Sequence, residues 1–256
     1  MTPAAYERWR VRLPLAAIAA ACWVLLIGSS QHDLAVYCSS GFRISLDRLS
    51  SAAAFYPPGY LAWDWGLMVA AMMVPMLTRP IGHVRARVLA HRRGRAMLMF
   101  AAGYCLVWLA CGVPIMAVVL ALSTIGLPPL GTAAVAAAIA AVWQCSPAKQ
   151  VCLNHCHSQP PLAVHGMRAD LDVFRYGAMQ GLWCCGTCWA AMLIPLTVQG
   201  LHLLAMAATS AFVAAERMDA PRSPAWSLRW PSAIFRLVRF RLRQMWPAQE
   251  LAQARH

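Results

Sequence analysis

Six apolar runs, at about 13–30, 61–78, 97–122, 131–147, 173–198 and 200–217, divide a chain whose charged residues fall mainly in the connections. Each is close to the roughly 20 residues that an α-helix needs to cross the hydrocarbon core of a bilayer. The pattern predicts an all-α fold, a polytopic membrane bundle of about six transmembrane helices over residues 1–218, followed by a tail, 219–256. The fourth and sixth runs are short and alanine-rich.

Charge placement gives an orientation. Arg8, Arg10 and Arg12 precede the first run; Arg79, Arg85, Arg87, Arg92, Arg93 and Arg95 follow the second; Lys149 and Arg168 lie between the fourth and fifth; and eight arginines come from Arg217 onward. The segment between the first two runs holds only Arg43 and Arg48. Basic connections stay on the cytoplasmic side, which predicts cytoplasmic termini. The first run also fits a cleaved signal peptide, with a basic start, an apolar core and the small residues Gly28, Ser29 and Ser30; cleavage would leave the other spans oriented as they are. Residues 31–60 form the one sizeable outward segment, with His32, Asp33, Cys38 and the helix-unfriendly Tyr56-Pro57-Pro58-Gly59. In the tail, Trp226, Trp230, Phe235, Phe240 and Trp246 interleave with arginines, as in an amphipathic segment lying on lipid or in a disordered basic tail.

Composition agrees with burial in lipid. The chain is 60% hydrophobic and 12% charged, against about 45–50% apolar residues in a soluble domain. A net charge of +13 would suggest nucleic acid in a soluble protein. Here topology accounts for the arginine blocks, and no nucleic-acid partner is expected. The ten cysteines lie in spans and one loop rather than in a small secreted framework, which favours metal or redox chemistry over stapling.

The densest chemistry is in the fifth run. Gly177, Gly181, Cys184, Cys188 and Met192 follow spacings of four, three, four and four and so share one helical stripe, with Cys185 about a quarter turn away. In the second run Met68, Met72 and Met76 repeat every four residues beside Met73 and Pro75. Thiolates and thioethers are soft ligands suited to Cu(I), and Met72 and Cys184 are expected at similar depth. The competing explanation for both stripes is packing, with cysteine as a small hydrophobe and methionine as filler. The loop from Trp143 to His157 carries Cys152, Cys156 and His157, the ligand types of a cytoplasmic copper or zinc site. Asp64, His202 and Glu216 lie near span ends, where polar groups are cheaper than at the bilayer centre.

Several of these segments occur in an order that carries a resemblance: Trp65-x-x-Met68-x-x-x-Met72-Met73-x-Pro75, Gly103-Tyr104-x-x-x-Trp108, Gln144-x-x-Pro147-x-Lys149-x-x-Cys152-Leu153-x-x-Cys156, Gly181-x-x-Cys184-x-Gly186-x-Cys188-Trp189-x-x-Met192 and Glu216-Arg217. Over about residues 60–218 the chain resembles a bacterial domain-of-unknown-function family of predicted metal-binding integral membrane proteins. The resemblance implies a polytopic inner-membrane protein with a metal-binding role. Thr187 departs from it, standing where the first of two adjacent cysteines is expected; Cys185 is an added thiol, and Arg217 replaces the usual lysine.

The sequence therefore favours a protein that handles Cu(I), moving it across the membrane or holding it for delivery to a metallochaperone or metalloenzyme partner. Met68, Met72, Cys184, Cys188 and Met192 are the expected intramembrane ligands, and Cys152, Cys156 and His157 the cytoplasmic ones. Zinc is the second metal at the loop. The alternatives are a thiol-disulfide oxidoreductase using Cys185 and Cys188, and a structural or assembly subunit of a membrane complex; an enzyme is the less favoured class.

Overall fold

The apolar runs fold as helices, and among the described residues of the computed structural model (3–29, 58–198, 200–228, 231, 232 and 239) no strand occurs. The expected outward segment with His32, Asp33 and Cys38, and most of the tail beyond residue 228, lie outside the described residues. The helices are α1 (Pro3–Ser29), α2 (Pro58–Met73), α3 (Thr78–Arg87), α4 (Arg93–Thr124), α5 (Pro129–Cys145), α6 (Pro147–His155), α7 (Gly166–Thr197) and α8 (His202–Glu216). Short 3-10 turns, Val74–Leu77 and Ala90–Arg92, join α2 to α3 and α3 to α4.

Among the described residues four stretches are long and apolar enough to cross a membrane: Trp9–Gly28, Ala62–Arg87, Ala90–Thr124 and Gly166–Thr197. The other two expected spans are different objects. The fourth run is α5, which meets α6 at a bend of 69°, so the two together form one broken span or a re-entrant element. The sixth is α8, whose 15 residues extend only about 22 Å at the usual helical rise, short of a hydrocarbon core about 30 Å thick.

The bend between α5 and α6 is written in Ser146-Pro147. A residue before proline is pushed out of the helical region, and Ser146 is extended at φ −74° and ψ 144°. Pro147 then begins the next helix, where its missing N–H costs nothing, and the Ser146 hydroxyl caps it by accepting from the Lys149 N–H at 3.1 Å. The segment expected to be a cytoplasmic loop is thus largely a helix packed on α7.

The principal contact in the bundle is α4 against α7, made backbone to backbone. A Cβ added to Gly177 would lie 2.1 Å from the Phe100 carbonyl oxygen, and one on Gly103 would lie 2.3 Å from that of Phe174. Glycines at helix crossings let the axes approach in this way. Beside them Phe100, Tyr104 and Trp108, four residues apart, form a buried aromatic stripe on α4. The Trp65 indole on α2 donates to the Trp108 carbonyl at 2.8 Å. At the other end of α4, Arg92 and Arg95 each reach Asp170 on α7 at 2.9 Å. Leu98, Leu106, Leu109 and Val113 on α4, and Leu182 on α7, point outward.

Because a carbonyl in a helix cannot step aside as a side chain can, Gly177→Ala is expected to destabilise the fold by about 3 kcal/mol or more, the upper end of ordinary overpacking. A thermal melt of the purified protein checks this; an unchanged midpoint would contradict the close crossing.

Candidate metal site

α7 carries its thiols into the interior. Cys184, Cys188 and Met192 are each 0% exposed, as are Met72 and Met73 on α2. Around Cys184 four groups gather. Its thiol donates to the Met73 thioether at 3.7 Å, the Tyr104 hydroxyl donates to its sulfur at 3.2 Å, and the Cys188 thiol and the Arg217 guanidinium also interact with it. One turn on, the Cys188 thiol donates to the Cys184 carbonyl at 3.0 Å.

The thioether that meets the thiol is therefore Met73, where the spacing-of-four argument pointed to Met68 and Met72. Those two are buried in the same core, and the Met72 carbonyl accepts from Ser210 on α8 at 3.3 Å. A stripe running to Met76 presumes one regular helix, but α2 ends at Met73 and the chain tightens into a 3-10 turn around Pro75. Met73 is thus the residue at which the helix gives way, beside α7.

The second expected site lies close to the first. Gly186 admits Cys152: a Cβ there would be 2.6 Å from the Cys152 sulfur. Cys156 at the end of α6 is 3.9 Å from the Thr187 hydroxyl and 3.5 Å from Arg217 Nη2. Thr187, standing where a thiol was expected, turns its hydroxyl back to donate to the carbonyls of Trp183 and Cys184 at 2.8 and 2.7 Å. His157 is held by backbone carbonyls. Its two ring nitrogens lie against the carbonyl oxygens of Leu153 and Arg217 at 3.0 and 3.1 Å, so a metal there would have to displace one of these bonds. Among the described residues no three His, Cys, Asp or Glu side chains converge to hold a metal ion. What the bundle assembles is a sulfur environment of two thiols on one helix and a thioether from another, a donor set that suits a soft monovalent ion with low coordination number.

Next to it lies a group that the apolar pattern concealed. Lys149 on α6 and Glu216 at the end of α8 are about 5% exposed, with Nζ at 2.7 and 3.0 Å from the two carboxylate oxygens. The Gln144 side chain bridges them, donating through its amide to Glu216 and accepting from Lys149. Glu216 thus pairs across the bundle with Lys149 rather than with a residue of its own segment. His202, near a span end, bonds through Nδ1 to the Pro195 carbonyl near the end of α7 at 2.6 Å. Gln144, Lys149 and Glu216 line an open depression together with Asp219 and Arg222.

Tyr104, Met73 and Arg217 all interact with Cys184 although the spacing of sulfur residues does not single them out. The signal available was adjacency: Tyr104 follows a glycine on a span, and Arg217 follows a buried glutamate.

A family model for a copper chaperone, PpoB2, matches residues 62–238, which takes in most of α2, all of α3 through α8, and every sulfur and charged group just described. No curated protein matches, and no solved structure does. With well over half its length inside that match, the chain belongs to the PpoB2 copper chaperone family.

Proposed function

We propose that this protein is an integral membrane copper chaperone that holds Cu(I) inside the bundle and hands it to a metalloenzyme or another carrier at the bacterial inner membrane. The observation that carries the reading is the approach of Cys184 to Met73 at 3.7 Å, both fully buried, with Cys188 one turn away. The ligands are Cys184 and Cys188, completed by Met73. Met68, Met72 and Met192 form the sulfur-rich wall around them. Cys152 and Cys156, on the neighbouring α6, are the pair through which the ion enters or leaves, since an ion departing a buried site needs a comparable ligand before it meets hydrocarbon. Methionine matches zinc poorly, which favours copper over zinc. The arginine distribution supports cytoplasmic termini and six membrane-embedded helical segments, the bent α5–α6 pair and short α8 among them. Copper here is cargo.

The test is an anaerobic titration of Cu(I) against a chromogenic chelator with the purified chain. One tightly held ion per chain is expected, and Cys185→Ser, which alters a thiol outside the proposed ligand set, should leave that stoichiometry unchanged. Failure of the wild-type chain to compete with the chelator would end the copper reading.

A further inference from the structure

Among the described residues Arg217 is a cation with no carboxylate at ion-pair distance. Its neighbour Glu216 is taken by Lys149 at 2.7 Å. Its Nη2 is 3.5 Å from the Cys156 sulfur, it also interacts with Cys184, and its Nε is buried with no hydrogen-bond partner. Arg217 as a whole is half-buried, and a guanidinium drawn partly out of water favours an anion beside it. In this pocket the thiols can supply one once a metal has displaced their protons.

We infer that Arg217 sets the charge of the metal that the pocket accepts, making it selective for a univalent thiophilic ion over a divalent one. This rests on the copper reading of the same pocket. When Cu(I) binds Cys184 and Cys188, two S–H bonds are lost, two Cu–S bonds form and two protons leave to solvent. The resulting bis-thiolate complex carries one negative charge, which the guanidinium cancels. A divalent ion on the same two thiolates gives a neutral complex and leaves the half-buried Arg217 without a counter-charge, so the pocket gains less from it than from the univalent ion. Arg217 is a specificity-determining residue that acts through charge, with no bond to the metal.

The experiment compares Cu(I) and Zn(II) affinities, each by chelator competition, for the wild-type chain, R217Q, R217M and R217K, with helix content checked by circular dichroism. In R217Q and R217M the Cu(I) affinity should fall by about 10- to 100-fold, the range seen when a group supporting metal ligands is lost, while Zn(II) affinity holds or rises. R217K should stay near wild type. Equal shifts for both metals, or none, in whichever neutral variant keeps its helix content would overturn the inference while leaving copper binding intact. A wild-type chain that binds no Cu(I) removes both readings. Should neither neutral variant fold, the wild-type chain is titrated with Cd(II), a thiophilic divalent ion; stoichiometric occupation that displaces Cu(I) overturns the inference, and exclusion at equal concentration supports it.

Discussion

Cys184→Ser is expected to abolish tight Cu(I) retention, and Cys188→Ser to do the same, each lowering affinity well beyond the about 100-fold that loss of a supporting group costs. Serine is nearly the shape of cysteine, so the helix and its packing are preserved and the comparison isolates the ligand. A neutral hydroxyl is a hard, weak donor for Cu(I), whereas a thiolate is a soft anionic one. Cys184 should be the more sensitive position, because its sulfur alone meets the Met73 thioether at 3.7 Å and the Tyr104 hydroxyl at 3.2 Å. Chelator competition under anaerobic conditions measures both variants. Wild-type affinity in Cys184→Ser would place the copper ligands elsewhere in the chain and retire this pocket.

Lys149→Met should be the most damaging substitution for the fold. The pair it breaks is nearly inaccessible, with the two side chains 5% and 7% exposed, and removing one partner strands a buried carboxylate at a cost of about 3–5 kcal/mol. Thermal or denaturant unfolding of the purified protein reads this. The double variant Lys149→Met with Glu216→Met should recover most of the loss, because two packed apolar side chains replace a buried ion pair with little penalty. If the double variant is no more stable than the single one, the charge pair is not the source of the effect. The same substitution reaches the metal pocket, since α8 ends at Glu216 and Arg217 follows directly; a slackened α8 should weaken Cu(I) binding along with stability.

Much of the bundle was legible in the chain. The long apolar runs became α1, α2, α4 and α7, because uninterrupted apolar sequence leaves the backbone no better way to satisfy its N–H and C=O groups than within its own helix. The stripe of Gly177, Gly181, Cys184, Cys188 and Met192 is buried along its whole length, as a periodicity of 3.6 requires. The loop reading of 143–157 gave way to a bend and a second helix, although the signal was local: a serine before a proline both stops α5 and caps α6. Met73 could not be told from Met72 by spacing, because the choice depends on where α2 tightens around Pro75.

Residue order by itself determined that the chain is helical, where its apolar segments lie, and that sulfur side chains on two of them share the depth needed to meet. Only the tertiary structure decided which thioether faces which thiol, that α6 brings Cys152 and Cys156 against α7, and that Glu216 is claimed by Lys149 so that Arg217 is left to the sulfurs. The division has a physical cause. Periodicity fixes the face of a helix on which a residue stands, whereas its partner is fixed by how closely two axes approach, and here that approach is set by backbone contacts at Gly103 and Gly177.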